Sequence, residues 1–196
     1  MKTDSGAPIA PVSMRGFLRA DGRKGIRNVI AVAYLVECAH HVAREIAWPF
    51  REQDVHLIGF PGCYPNGYAQ RMMEALCTHP NVGAVLLLSL GCESFDKYGL
   101  AHVIRQSGRP VETVVIQASG GTRASIAEGQ AWVRAQLPVL AAQEPVPMGV
   151  DELIVGTVCG GSDGTSGITG NPAAGRAFDQ LVGEGAACIF EETGEL

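Results

Sequence analysis

The sequence predicts an α/β fold, a doubly wound parallel sheet of about six strands with helices on both faces. Three observations lead there. Short, nearly continuous apolar runs recur along the chain, the pattern of strands covered on both sides. Segments with helical apolar spacing separate them. A right-handed helical crossover is the usual link between parallel neighbours, so such runs close into one open sheet.

The strand candidates, in order, are 26–36, 55–60, 82–90, 112–118, 153–158 and 187–190. After the first, Val42 and Ile46 lie four apart on one helix face. After the second, Ala69, Met72 and Leu76 follow one stripe; after the fourth, Ile126, Val133, Leu137 and Leu140 follow another. Asn171 followed by Pro172 predicts an N-cap with proline at the first helical position, opening a helix through Leu181. Residues 1–15 are polar, contain proline and lack the apolar core of a secretion signal. They read as a flexible lead, and the protein as cytoplasmic. Residues 16–196 read as a single α/β domain without internal repeats, its longest loop-like break at 143–149.

Composition narrows the function. The charged fraction is 18% and glycine numbers 25 of 196 residues, against usual values of ~25% charged and ~7% glycine. Much of the chain is therefore expected to be buried strand joined by tight loops. Fifteen Lys and Arg against twenty Asp and Glu leave −5, which argues against a nucleic-acid partner. No run approaches the ~18 apolar residues of a membrane span. The first strand runs into Val36-Glu37-Cys38-Ala39-His40-His41, with no G-x-G-x-x-G, and no Walker lysine loop follows elsewhere. This Rossmann-like sheet is therefore not read as a site for NAD or ATP.

Four of the six cysteines, Cys38, Cys63, Cys92 and Cys159, stand where an apolar run gives way to a polar or glycine-rich turn. If the runs are parallel strands of one sheet, their carboxyl ends share an edge, where open α/β folds bind ligands. Thiols gathered there in a cytosolic protein suggest iron, an iron–sulfur cluster or zinc before disulfides. A helix N-terminus favours thiolate, and Cys63, Cys92 and Cys159 share the pattern of apolar run, cysteine and polar loop. Cys38 is a possible fourth ligand. Cys77 and Cys188 read as packing residues. Three thiolates on a metal leave a position open for a substrate oxygen.

Glu93 and Asp163 are the acidic candidates for general base or for orienting a ligand, and otherwise read as loop carboxylates or helix caps. His40, just past Cys38, is a third catalytic candidate; His56, His79 and His102 read as structural. Gly121, Thr122 and Arg123 open a helix and offer N–H groups, a hydroxyl and a guanidinium to an anion. Ser162, in the glycine-rich loop 160–167, offers a second anion contact.

These residues carry a resemblance. Arg19-Ala20-Asp21-Gly22-Arg23-Lys24-Gly25-Ile26-Arg27-Asn28, the Cys63 loop, Gly91-Cys92-Glu93, Gly120-Gly121-Thr122, and Cys159-Gly160-Gly161-Ser162-Asp163 with Ser166-Gly167-Ile168 and Asn171-Pro172 resemble the altronate/galactarate dehydratase family. The likeness spans residues 16 to 193, and its arginine and C-G-G-S-D elements are the specific ones. It implies β-elimination of water from sugar acids, or of sulfite from 3-sulfolactate, with dependence on iron as Fe2+ or a cluster. It also implies Asn171 as a substrate contact.

The arginine motif starts almost at Met1, a layout similar to the large subunit of two-chain sulfolactate sulfo-lyases. Phe60-Pro61-Gly62 before Cys63 and Tyr64-Pro65 after it differ from the surroundings common in sugar-acid dehydratases. The resemblance thus favours a sulfo-lyase-like subunit, with a sugar-acid dehydratase as the alternative and a non-catalytic metal-binding or assembly module as another. The chain is expected to be the first large domain of a longer protein. Its expected partners are a C-terminal region, a small N-terminal-type domain or subunit, and further copies of itself in a homo-oligomer. Arg19, Asp21, Arg23, Arg27 and Asn28 precede the first strand, so topology assigns them to the opposite edge, as an interface or substrate contact.

Overall fold

The structure is a computed structural model that describes residues 14–161 and 163–191. The chain groups into two compact units, one of Gly16–Val146 and one of Met1–Arg15 with Pro147–Leu196. Residues 16–196 are thus shared between the two units.

The first described strand, β1 (Met14–Leu18), runs into the Gly16–Val146 unit and leads to β2 (Lys24–Gly25), paired antiparallel with Phe17 opposite Gly25. Next come β3 (Val29–Tyr34), α1 (Glu37–Ala47), β4 (Val55–Gly59), α2 (Gly67–Cys77) and β5 (Val82–Ser89). Then follow α3 (Lys97–Gln106), β6 (Val111–Val115) and α4 (Thr122–Ala141). A four-stranded parallel sheet forms in the order β4-β3-β5-β6. The chain enters at β3, steps outward to β4, then crosses back to β5. That reversal is a topological switch, and open α/β folds bind ligands outside the carboxyl ends of the strands at such a point.

Strand periodicity sorts the core. Ile30 and Val32 of β3 and Leu86 and Leu88 of β5 face Val42 and Ile46 of α1 and Val133 and Leu140 of α4. Ala31 and Ala33, with Val85 and Leu87, face Met73 and Cys77 of α2 and Leu100 and Ile104 of α3. All eight residues of β5 are buried, as a central strand covered on both sides requires. The α2 stripe differs from the sequence expectation. Met73 and Cys77 point inward, while Met72 and Leu76 stay 39% and 38% exposed, so the packed face is one residue further along.

The short β7 (Val146–Met148) lies where the first unit ends. In the second unit β8 (Ile154–Thr157) and β9 (Ala187–Phe190) pair in parallel through α5 (Gly170–Gly183). All six expected strands exist, but they bond as four and two rather than as one sheet of six. The α5 helix begins at Gly170 with Thr169 at the N-cap position, so Asn171 and Pro172 lie in its first turn. Among the described residues no helix is long and apolar enough to cross a membrane.

Candidate functional site

The loops that follow the four parallel strands are stitched into one rim. Phe60 N–H donates to the Tyr34 carbonyl (2.9 Å) and Glu37 N–H to that of Pro61 (3.3 Å), joining the β3 and β4 ends. Ser94 N–H donates to the Cys63 carbonyl (2.9 Å), and the Phe60 and Phe95 rings meet at 5.9 Å, joining the β4 and β5 loops. Gln117 N–H donates to the Leu90 carbonyl (3.1 Å), bringing in the loop after β6. Cys38, Cys63 and Cys92 all sit on this rim, exposed. Cys38 is the second residue of α1, so it alone of the three lies within a helix's first turn. Cys63 and Cys92 precede helices capped by Asn66 and Asp96, whose carboxamide and carboxylate oxygens accept from Ala69 and Gly99 N–H.

His40 rises from the first turn of α1. Its Nδ1 lies 3.0 Å from Glu37 Oε1, and its ring stacks on Tyr34 at 4.8 Å between centroids. A carboxylate only accepts, so Nδ1 carries the proton and Nε2 is left as the basic nitrogen. Glu37 is a partner that the sequence reading missed; the i, i+3 spacing of a carboxylate and a histidine at a strand-end helix was the available signal.

Glu93 is arranged differently. Its two oxygens accept from Ser89 Oγ and from Gly91 N–H (2.8 Å), and it is 8% exposed. Burial pulls its pKa upward, but the bonds from Ser89, Gly91 and its own N–H, with the charge of Lys97, hold it below the usual carboxylate range. A carboxylate held this way is a weak base and a firm anchor for the Gly91-Cys92 turn.

At the start of α4, Gly120 and Gly121 adopt φ of +83° and +91°, positive values that glycine takes without strain. Gly121 N–H is used by the Ile116 carbonyl (3.1 Å), whereas Thr122 and Arg123 open the helix itself. The other expected contacts belong to the second unit. Asp163 Oδ1 accepts from Thr165 N–H and Oγ1, both at 2.7 Å, and these bonds hold its pKa down. It organises the 163–166 turn. Asn171 N–H caps the Ser166 carbonyl (2.9 Å), Cys159 is exposed beyond β8, and Ser162 lies outside the described residues.

The arginine motif occupies the amino-terminal edge of the four-stranded sheet and is spent internally. Arg19 donates to the carbonyls of Pro80 (2.6 Å) and Arg27 (3.2 Å) and to Asn28 Oδ1 (3.0 Å). Arg23 grips Asp21 Oδ2 through Nε (2.8 Å) and Nη2 (2.6 Å), and reaches the Thr78 carbonyl (3.0 Å). Arg27 pairs with Asp54, and Asn28 Nδ2 donates to the Leu140 carbonyl (3.0 Å). A Cβ on Gly25 would stand 2.1 Å from the Pro80 carbonyl oxygen, so that position needs glycine. These bonds make the motif a brace around the turn before β5, at the edge where topology assigned it. Arg109, which the sequence reading passed over, joins the brace from the far side.

Soft thiols suit the iron that the resemblance implies. Yet among the described residues no three His, Cys, Asp or Glu side chains lie close enough to hold a metal ion. The rim carries donors of the right chemistry without closing them on one point.

Comparison with known proteins decides the kinship. Residues 16–141 match the second domain of D-galactarate dehydratase/altronate hydrolase, and residues 150–196 match the C-terminal domain of D-galactarate/altronate dehydratase. The chain belongs to the altronate/galactarate dehydratase family. The two matched stretches meet near the boundary between the compact units. Within the family, the chain is 27% identical to altronate dehydratase of Bacillus subtilis (strain 168), over 94% of this chain and 39% of that protein. It is 32% identical to (2R)-sulfolactate sulfo-lyase subunit beta of Chromohalobacter salexigens, over 92% of this chain and 46% of that one. Galactarate dehydratase (L-threo-forming) of Escherichia coli (strain K12) is 27% identical over 96% of this chain and 40% of its own. The chain thus spans less than half the length of these relatives.

Proposed function

We propose that the rim contributes to the active site of a lyase that eliminates water or sulfite from a small anionic 2-hydroxy acid. The observation that carries this reading is the bonding of four strand-end loops into one edge that holds His40, three thiols and the open start of α4. His40 Nε2 takes the α-proton while Glu37 holds the ring and offsets the charge it gains. The C–H electron pair becomes the C=C bond of an enol, and the leaving group departs with the electrons of its C–O or C–S bond. Thr122 and Arg123 bind the carboxylate. Glu93 positions the Cys92 turn. Asp163 and Asn171 shape the second unit's loop as a substrate contact. Iron held by Cys63, Cys92 and Cys159 is part of the proposal, on the softness of the thiol set, and no step is assigned to it. The likeness to the sulfo-lyase subunit supports sulfite as leaving group, and the dehydratase names of the other relatives support water equally.

The test combines the chain with a candidate small subunit and the remaining family region, reconstituted with Fe2+ without air. Sulfite release from 3-sulfolactate, abolished by His40→Gln, is the expected result. Water loss from altronate or galactarate would select the sugar-acid reading. Iron content should fall in Cys63→Ser, Cys92→Ser and Cys159→Ser. No turnover of any of the three acids, or a His40→Gln variant as active as its parent, would sink the reading.

A further inference from the structure

Two guanidiniums lie buried at the amino-terminal edge of the four-stranded sheet, on the opposite side from the rim. Arg19 is 8% exposed and Arg109 4%. Arg109 donates through Nε to the Val82 carbonyl (2.9 Å) and through Nη2 to those of Thr78 (2.9 Å) and His79 (3.1 Å). Like the partners of Arg19, all these acceptors are neutral. Neither arginine has an ion-pair partner among the described residues. Asp21, the acid whose field both feel, is committed to Arg23. Burial, together with the positive charge of Arg109, pushes Arg19 down to about 10; burial lowers Arg109 as well.

Both side chains line one cavity of about 300 Å³, with Phe17, Ala20, Gly108 and Glu144 among its walls. That volume sits at the small end of ligand pockets, roughly 300–1,000 Å³. Donors remain for a guest. Among the described residues Arg19 Nη1 has no hydrogen-bond partner, and Arg109 Nη1 has only a 3.4 Å contact with the Ser107 carbonyl. Every buried polar side-chain atom among the described residues has a partner, so Arg19 Nη1 keeps access to solvent. Glu144 is exposed on the wall and paired with neither arginine. Two like charges taken out of water beside an open cavity give it an electropositive wall, the setting in which an oxyanion gains charge-assisted hydrogen bonds.

We propose that this cavity binds a small oxyanion, the carboxylate or phosphate group of a metabolite, between Arg19 and Arg109. The site is separate from the rim, and its test needs no turnover. Thermal unfolding of the whole chain should be followed during titration with inorganic phosphate and, separately, with succinate, against chloride at equal ionic strength. A saturable rise in Tm is expected, since a ligand that binds only the folded state stabilises it by mass action. Whichever anion saturates at the lower concentration identifies the group the site takes.

Glu144→Gln removes a repelling charge and should sharpen the affinity several-fold. Ala20→Glu puts a carboxylate at the wall, so it should raise Tm without added anion and abolish the response. Neither variant touches the brace. Equal shifts with chloride, or responses unaltered in both variants, would make the arginines braces only and overturn the proposal. A lower Tm in Glu144→Gln without anion, with no gain in affinity, would make Glu144 the counter-ion and overturn it too.

Discussion

A carboxylate next to a cysteine at a strand end reads in sequence as a candidate base, yet Glu93 turns its two oxygens inward onto Ser89 and Gly91. The consequence is measurable. Gln at this position keeps the size but faces Gly91 N–H or Ser89 with an amide, so one bond is lost or weakened. Glu93→Gln should destabilise the protein by about 1.5–3 kcal/mol at neutral pH, the range for hydrogen bonds to a charged group. Because the folded state depresses the pKa of Glu93 below its ordinary 4.5, its contribution is present above that value and is lost as pH falls through the folded one. Urea unfolding at several pH values should therefore show the gap between parent and variant closing on acidification. A gap that is constant or widens would refute the anchoring role. What the sequence carried here was the position of Glu93; which way the carboxylate turns depends on Ser89, a residue in β5 that no motif flags. Cys77 was legible for the opposite reason. It lies on an apolar helix face, and burial pushes its thiol up to about 12, so it packs and does not react.

Helices α1 and α4 pack side by side on one face of the sheet, and Gly129 is where they approach. A Cβ there would stand 2.4 Å from Ile46 Cδ1 and 3.2 Å from Leu86 Cδ2. Ile46 and Leu86 are both wholly buried, so neither side chain has room to swing aside. Gly129→Ala gains about 1 kcal/mol of helix propensity against an overpacking cost of roughly 1–3 kcal/mol. The net expected effect is a loss of stability. Adding Ile46→Val removes the obstructing Cδ1 and should recover part of the loss, so a double-mutant cycle in denaturant should give a favourable coupling. Independent, additive effects would mean the helices are not limited by this contact. At this scale the sequence was informative wherever burial follows period: the α1 and α4 stripes lie where spacing put them. It was off by one on α2, because Met72-Met73 and Leu76-Cys77 are adjacent apolar pairs and spacing alone does not say which member faces the sheet. The N-cap of α5 slipped for a similar reason, since Thr169 and Asn171 are both capping residues and backbone geometry chose the former.

The division of six strands into four and two was invisible to periodicity, because a parallel βαβ step reads the same whether it extends an existing sheet or begins another. Burial separates the cases. Among the described residues, Met148 and Ala186 are the only buried apolar side chains outside Gly16–Val146. The β8–β9 pair keeps Ile154 71% and Phe190 54% exposed, and α5 has no buried residue. Phe178 of α5 meets Phe190 edge-on at 5.1 Å, which anchors the helix without enclosing a core. A two-stranded sheet with one helix does not bury enough apolar surface to offset the entropy of ordering it. The first unit, with both faces of its sheet covered, does. Residues 16–146 expressed alone should therefore give a cooperative urea transition by far-ultraviolet circular dichroism, with a midpoint close to that of the whole chain. Residues 147–196 alone should show no such transition. A 16–146 fragment that is unfolded or aggregated, or a 147–196 fragment that folds by itself, would show that stability is shared differently between the units than their burial implies.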